Sequence, residues 1–512
     1  MMRMRVNGTQ LRMLVAVAVL SLCGACSHSN AAATPAGPVP GTFAGLAADA
    51  VNAVMTRWYV QGDTWRDCIG TTCRSRSADW GVDSMVNVLY ERWKTTQDPV
   101  VVAMLRDVEP SEPHYGQPCT SPCNAGSDVP LWDAVAVMRT YAVTGTQNDL
   151  KVARDDYDVV ARSTVFALGA CPDIDYQNAR SDGANTVVKT LETDANRILA
   201  AMLLWDQTKD PTLLADAKTM YAAVRRRFLD STLALYTVYV QDQSSSCVQI
   251  PRRFFASANG VMMEAGLELS NATGDPAYAA DAAATKHAIA LLADPRGIFT
   301  DLQAENDIVE PLVLAMLRFA VDLNDAEARD WILRNAAAAA NVRTADGTSY
   351  GRFFDGPAPA PGTIATIWQA NGGFALLIAA AYLSPTGVPE ARNPWPNATV
   401  QTQEITTGML PYTFSFTGSG IALVGTIGET SAEPGHAHVL IDGQQMTDLT
   451  GIWQDKDVAR TPSGQQPQLP NSVLFAWRWP SSGPHTITLA PGEPNTKEGP
   501  SFVHVQRELV IP

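Results

Sequence analysis

Apolar residues recur at spacings of three and four along most of the first 383 residues, and this pattern predicts α-helices. The residues Val187, Leu191, Ala195, Ile198 and Met202 form one such stripe. Twelve segments carry the pattern, at about residues 43–60, 80–95, 98–107, 131–144, 147–168, 186–207, 210–228, 254–272, 275–292, 304–323, 326–340 and 366–383. We therefore expect a helical body over residues 43–384.

A similar turn separates many neighbouring helices. Thr96-Gln97-Asp98-Pro99 and Thr273-Gly274-Asp275-Pro276 are two examples, in which Asp and Pro cap and open the next helix. The chain therefore repeats a helical hairpin six times, as an open solenoid or a closed ring. Residues 131–143 and 374–382 are almost wholly apolar, and such helices must be buried on all sides. A closed (α/α)6 toroid, in which an outer ring wraps an inner one, meets this requirement.

The helical period ends near residue 384. Four prolines indicate a linker at residues 385–398, and the chain beyond it changes to short alternating or β-branched runs that predict strands. Asp442-Gly443 predicts a tight hairpin turn among them. We expect residues 399–512 to form a separate all-β domain, a β-sandwich.

The first 25 residues predict an export signal. Three arginines precede an apolar run at residues 13–22, which is shorter than the roughly 20 residues of a membrane span. The small residues before Cys26 are typical of a bacterial lipobox, so we expect lipidation of Cys26 and a lipid anchor in the bacterial cell membrane or outer surface. Cleavage at Cys23 and a plain secretory signal are the alternatives. Residues 26–42 predict a flexible tether.

Charge and cysteine content restrict the partners. The formal charge is −15, and loss of the signal, with three arginines and no acids, makes it −18. Such a body repels nucleic acid and anionic lipid, which favours a neutral partner. Six cysteines beyond the lipobox predict disulfides in an exported protein rather than a metal site. Among fifteen possible connectivities we expect Cys68–Cys73, Cys119–Cys123 and Cys171–Cys247.

The chemistry predicted for this chain is that of carboxylates. The sequence contains no Gly-rich phosphate loop, no Gly-x-Ser-x-Gly turn and no His-Glu-x-x-His, so we expect neither a cofactor nor a metal. Asp128 and Asp133 are the candidate catalytic residues, because they open a helix with few other polar positions. Helix capping by Asp128 and a satisfied core role for Asp133 are the alternatives. Paired acids are what glycosidic bond cleavage needs.

Aromatic and acidic residues at the starts of several helices are candidate substrate-binding groups. They are Trp80, Asp83, Trp132, Glu305, Asp307 and Trp368. Core packing for the tryptophans and favourable placement at a helix N-terminus for the acids are the alternatives. Lys189 and Glu192 are expected to form an ordinary ion pair on a helix surface.

Three segments in order resemble one known family. They are Trp132-Asp133-Ala134-Val135-Ala136 leading to Thr144-Gly145, then Thr273-Gly274-Asp275-Pro276-Ala277-Tyr278, and finally Ile367-Trp368-Gln369-Ala370-Asn371-Gly372-Gly373. Through them, residues 45–383 resemble glycoside hydrolase family 76, the endo-α-1,6-mannanases, which are (α/α)6 toroids. The resemblance implies a pair of adjacent catalytic aspartates just before the helix of Trp132. This chain has Asp128-Val129 there, so one acid of the pair is missing.

Two functions fit these observations. The first is a monomeric, surface-anchored glycoside hydrolase that acts on a neutral α-linked polysaccharide similar to α-1,6-mannan. In that case Asp133 or another loop acid replaces the missing aspartate, or the specificity has diverged. The second is a glycan-binding lipoprotein of the cell envelope without catalysis. The C-terminal domain is similar to jelly-roll modules of secreted carbohydrate-active proteins, and Trp453, Trp477 and Trp479 are its candidate sugar platforms.

Overall fold

The computed structural model describes most of the chain beyond residue 39. The described residues are 40–61, 64–70, 73, 80–108, 126–176, 188–243, 246–250, 254–299, 309–353, 358–359, 363–391, 398–401, 404–427, 436–446, 449–450, 469–491 and 504–512. Within these ranges there are twelve α-helices, each corresponding to one predicted segment. They are α1 (Phe43–Ala53), α2 (Trp80–Thr96), α3 (Pro99–Asp107), α4 (Asp128–Thr144), α5 (Gln147–Ala161), α6 (Leu191–Thr208), α7 (Pro211–Phe228), α8 (Ala256–Thr273), α9 (Pro276–Ile289), α10 (Glu310–Asp322), α11 (Ala326–Asn341) and α12 (Ile367–Leu383).

The even-numbered helices form a closed inner ring. Each packs against the next, and α12 packs against α2 to complete the circle. The odd-numbered helices pack outside it, with α5, α7 and α9 lying against α4, α6 and α8, and α1 against α12. The predicted (α/α)6 toroid is therefore confirmed. We call the space that the inner ring encloses the lumen.

Local sequence sets where the hairpins turn. Asp98, Asp210 and Asp275 each accept a hydrogen bond from the backbone N–H two residues on, and proline begins each following helix. Gly145 and Gly274 end α4 and α8 in the left-handed conformation, which glycine adopts at no steric cost. These turns connect an inner helix to the next outer one, so they all lie at one rim of the toroid.

The opposite rim carries the long connections. Every inner helix begins there, and the connection before it is longer than the turn after it. Short strands lie in these connections: β1 (Cys68–Ile69), β2 (Val188–Thr190), β3 (Leu229–Asp230), β4 (Leu235–Tyr236), β5 (Tyr239–Gln243), β6 (Ser246–Gln249) and β7 (Ala365–Thr366). The predicted disulfides Cys68–Cys73 and Cys171–Cys247 are present in them. Cys119 and Cys123 lie outside the described residues, as does Cys26.

The C-terminal region is all-β, as predicted. Its strands are β8 (Thr399–Gln401), β9 (Ile405–Thr406), β10 (Tyr412–Ile427), β11 (His436–Ile441), β12 (Gln444–Gln445), β13 (Leu449–Thr450), β14 (Leu469–Pro491) and β15 (His504–Ile511). They form one antiparallel sheet with the central order β12-β11-β14-β10-β15-β8. Asp442 and Gly443 both have positive φ and connect β11 to β12, which confirms the predicted hairpin. Assignment to the jelly-roll class stays a prediction.

The two regions meet through a buried contact. Arg352, which lies in the connection before α12, donates a hydrogen bond from Nη2 to the carbonyl oxygen of Val473 on β14, at 3.0 Å. Apolar side chains of both regions belong to one continuous core. Among the described helices, none is both long and apolar enough to span a bilayer.

Candidate active site

One stripe of α4 faces the lumen. Arg139 reaches across it, because its guanidinium donates to Asn87 of α2 and, from Nη2, to Glu264 Oε2 of α8 at 2.7 Å. An α-helix turns by about 100° per residue, so positions seven and eleven residues away point within about 20° of the same direction. Trp132 and Asp128 occupy these positions and face the lumen at its mouth. Both are nearly buried, Asp128 at 4 % exposure.

Asp133 lies on a different face of the same helix. It is six residues from Arg139 and five from Asp128, which places it about 120° and about 140° away from them around the helix axis. Its side chain is partly exposed. Of the two predicted catalytic carboxylates, Asp128 alone is on the lumen stripe, and helical phase does not bring the pair together. A catalytic role for Asp133 stays a prediction.

A matching stripe runs along α2. Asn87 contacts both Arg139 and, from Nδ2, Glu310 Oε1 of α10 at 3.2 Å, so it faces the lumen. Asp83 lies four residues and Trp80 seven residues before Asn87, which turns them by about 40° and about 20° from its direction. Asp83 is 5 % exposed and Trp80 is partly exposed. The structure thus brings Trp80, Asp83, Asp128 and Trp132 to the mouth of the lumen.

A network of charged groups forms the floor below this mouth. The buried ion pair between Arg139 and Glu264 is extended by Arg318 of α10, whose Nη1 lies 3.9 Å from Glu264 Oε1 and 2.5 Å from Glu268 Oε1. These contacts tie four helices of the inner ring together across the lumen, since Asn87 joins Arg139 to α2. The floor can hold the mouth residues in fixed positions.

Burial governs the protonation of the carboxyl groups near the floor. It raises the pKa of Glu310 to about 7, although Asn87 and Ser84 beside it favour the anion. Glu91, one turn below Asn87, is fully buried, and burial followed by the charge of Glu310 raises its pKa well above the usual value. Arg139 acts in the opposite direction on both groups. Near neutral pH, Glu310 can therefore retain a proton.

A cross-linked loop flanks the start of α6. The expected surface ion pair between Lys189 and Glu192 is wrong, because Lys189 lies in β2 and is fully buried. Its Nζ donates to the carbonyl oxygens of Cys171, at 2.6 Å, and of Ile174. Asp242 of β5 accepts from the backbone N–H of Ala170 at 2.8 Å. Together with the disulfide at Cys171, these contacts fix the loop beside the mouth.

The side chains of three predicted site residues are not described by the structure. Glu305 and Asp307 are outside the described residues, and Trp368 lies in the first turn of α12 with a side chain that is not described. Sequence reasoning missed Asn87, Arg139, Glu264 and Arg318. The available signal was their isolation, since a charged residue in the middle of an apolar helix needs a partner. Among the described residues, no cluster of His, Cys, Asp or Glu is arranged to hold a metal ion.

Comparison with known proteins bears on the fold. No protein-family model and no curated protein sequence matches the chain. The α-1,6-mannanase GH76A of Salegentibacter sp. HEL1_6, in an inactive variant with two consecutive aspartates replaced by alanine and in complex with α-1,6-mannotetrose, is 19 % identical. The match covers 67 % of this chain and 99 % of that one, with a TM-score of 0.56.

Two further solved structures are similar. The GH76 α-mannanase BT2949 of Bacteroides thetaiotaomicron is 14 % identical over 67 % of this chain and 96 % of its own, with a TM-score of 0.52. The Lin0763 protein from Listeria innocua is 15 % identical over 67 % and 98 %, with a TM-score of 0.55. The toroid of this chain therefore has the (α/α)6 fold of the family 76 glycoside hydrolases.

Proposed function

We propose that this protein is a glycoside hydrolase that cleaves a neutral α-linked polysaccharide similar to α-1,6-mannan. The observation that carries the proposal is the position of Asp128, nearly buried in the first turn of α4 at the mouth of a closed ring, among tryptophans. The structurally similar α-1,6-mannanase GH76A binds α-1,6-mannotriose and α-1,6-mannotetrose, and two consecutive aspartates are replaced in these inactive variants.

The mouth offers what glycosidic cleavage requires. A carboxylate attacks or assists at the anomeric carbon, a second carboxyl group protonates the departing oxygen, and aromatic faces hold the sugar. Asp128 is the proposed nucleophile, since it occupies the position where the family resemblance implies the first catalytic aspartate. Trp80 and Trp132 are the proposed sugar contacts, and the Arg139–Glu264 floor holds this arrangement in place.

The test is an assay of the purified full chain on α-1,6-mannan and a panel of neutral cell-wall glycans. We expect release of oligosaccharides, and a loss of about 100-fold or more in the Asp128→Asn variant because the attacking group is gone. Asp206→Asn, on the exposed end of α6 at the opposite rim, is the control that should retain activity. Absence of release from the whole panel by the wild type would overturn the proposal.

A second candidate is a glycan-binding protein without turnover. It is favoured by Val129 at the position of the second family aspartate, and by Trp479 in the β region, which is partly exposed and stacks on His485 with ring centroids 3.8 Å apart. Glycan-array binding that survives conversion of both Asp128 and Asp133 to Asn, with no turnover before or after, would support this candidate over the enzyme.

The cellular place that we propose is the bacterial envelope. The lipobox-like residues before Cys26 support lipidation and anchoring by that lipid alone. Partition of the full chain into detergent, and its loss in a Cys26→Ala variant, tests this proposal; equal partition of both forms contradicts it.

A further inference from the structure

We propose that Asp83 is the proton donor that replaces the missing second aspartate, and this inference rests on the proposed glycosidase function. Val129 occupies the family position of that aspartate, so the proton must come from elsewhere. Asp83 can supply this proton only if it is turned toward α4, the helix that carries Asp128.

The contacts of Asn87 and Ser84 show which neighbouring helix each side of α2 faces. Relative to Asn87, Ser84 is turned by about 60° in one direction, and Asp83 by about 40° in the other. Ser84 lies beside Glu310 of α10, on the side of α2 where α12 closes the ring. Asp83 is therefore turned toward the opposite neighbour, which is α4, the helix that carries Asp128.

Tyr90 provides an independent check of this direction. It lies seven residues after Asp83, hence on nearly the same line of α2. The Arg139 guanidinium of α4 sits over its ring at 5.7 Å from the centroid. The line of Asp83 and Tyr90 on α2 thus faces the line of Asp128 and Arg139 on α4.

The two aspartates occupy equivalent places on these facing lines. Each lies in the first turn of its helix, and the two helices are packed neighbours in the inner ring. The axes of packed helices are about 8–10 Å apart, so two inward-facing carboxyl groups can flank one glycosidic bond. On the Ser84 side of α2, Glu310 is fully buried, and its Oε2 has no hydrogen-bond partner among the described residues.

The proposed cleavage of the glycosidic bond has two steps. The Asp83 carboxyl group gives its proton to the glycosidic oxygen, which keeps the electron pair of the breaking C–O bond and leaves as a hydroxyl group. The Asp128 carboxylate bonds to the anomeric carbon and forms a glycosyl ester. Water then attacks that carbon, gives a proton to the Asp83 carboxylate and releases Asp128. Both carboxyl groups end in their starting states.

The experiment compares substrates whose leaving groups differ in their need for protonation. In Asp83→Asn we expect a loss of about 100-fold or more on the polysaccharide that the wild type cleaves. Activity on an aryl α-glycoside of the same sugar with a dinitrophenolate leaving group should fall by less than about tenfold, because that leaving group departs without a proton. Asp83→Glu, which restores a carboxyl group, should recover part of the polysaccharide activity.

The configuration of the product formed with azide distinguishes a catalytic role of Asp83 from a purely structural one. With Asp83→Ala and the aryl glycoside, azide should intercept the glycosyl ester and give a glycosyl azide of retained configuration. With Asp128→Ala it should give the inverted product, since no ester forms. Circular dichroism of each variant reports whether it is folded.

The outcomes separate the two proposals. A wild type that is inactive on every polysaccharide and aryl glycoside overturns the proposed function and this inference with it. An active wild type whose folded Asp83→Asn variant keeps its polysaccharide activity overturns this inference alone. The same holds if Asp133→Asn, rather than Asp83→Asn, shows the dependence on the leaving group.

Discussion

Glu310 shows how strongly one buried side chain depends on its surroundings. It is fully enclosed at the start of α10, next to the acid Glu91 and across from the cation Arg139. Burial raises the pKa of Glu310 by more than the hydrogen bonds with Asn87 and Ser84 lower it, so that the pKa is about 7. The folded protein therefore holds this proton more tightly than the unfolded chain, in which the pKa of glutamate is near its ordinary value of 4.5.

This difference predicts a pH-dependent contribution to stability. Because the pKa is raised on folding, the contribution of Glu310 is fully present below pH 4.5 and is lost as the pH rises to about 7. Glu310→Gln keeps an acceptor for Asn87 and cannot ionise. We expect its free energy of unfolding, relative to wild type, to increase by up to about 3 kcal/mol across this window, at 1.36 kcal/mol per pKa unit.

The measurement is urea unfolding of both proteins at intervals between pH 4.5 and 8. The exposed Glu390→Gln is the control, and its stability should parallel that of the wild type at all pH values. A constant difference between Glu310→Gln and wild type across the window would show that Glu310 titrates normally.

At the scale of elements, Gly260 permits a close approach of the two inner helices α8 and α10. A Cβ added to Gly260 would lie 2.6 Å from both the Cα and the backbone nitrogen of Leu312. Backbone atoms cannot move aside as a flexible side chain can, so the two inner helices would have to separate. The ring thus depends on the absence of one side chain at this crossing.

We expect Gly260→Ala to destabilise the protein by about 1–3 kcal/mol. The sign is informative, because the same change in an unobstructed helix stabilises it by roughly 1 kcal/mol. Thermal unfolding measures the effect. Gly408→Ala, where the added Cβ meets nothing within 4 Å, is the matched control and should change the stability by less than about 0.5 kcal/mol. A more stable Gly260→Ala variant would refute the close approach.

The helices themselves could be predicted from the sequence because their signals are local. Apolar spacing and the Asp-Pro turns placed α7 at residues 210–228, and it spans Pro211–Phe228. The predicted helix at residues 186–207 begins five residues later, at Leu191, because Val188–Thr190 pairs with β5. That strand pairing joins segments about 50 residues apart, and no local pattern reveals it.

The candidate site was predictable only in part, for a related reason. Asp128, Trp80 and Trp132 could be placed near the cleft because they begin helices of the inner ring. The charged network of the floor could not be predicted, because Arg139 and Glu264 are 125 residues apart in the sequence and come into contact only when the ring closes. The sequence favours Asp133 because it is an isolated acid on an apolar helix. The sequence does not show which side of that helix faces the lumen, and the partners of Arg139 in the structure do.

At the scale of the whole molecule, the toroid and the β region are joined by more than the linker. Arg352 is 2 % exposed and donates to the backbone of β14. Removing a partner from a buried hydrogen bond leaves the other group desolvated and unsatisfied. This contact therefore couples the stability of the two regions.

We expect Arg352→Met to lower the free energy of unfolding by about 2 kcal/mol. The loss should be concentrated in the β region, so calorimetry should show its transition separating from that of the toroid. Arg57→Met removes an exposed ion pair with Asp346 and is the control, since such pairs contribute about 1 kcal/mol or less. An unchanged single transition in Arg352→Met would show that the contact does not couple the regions.

The unequal rims of the toroid have an evolutionary consequence. Short capped turns close the ring at one rim, and long connections enter the inner helices at the other. Natural variation can then lengthen, cross-link or exchange the long connections, and so alter what is recognised, while the short turns preserve the circular architecture. A chain can in this way share the scaffold of solved mannanases at 14–19 % identity and present a mouth of its own.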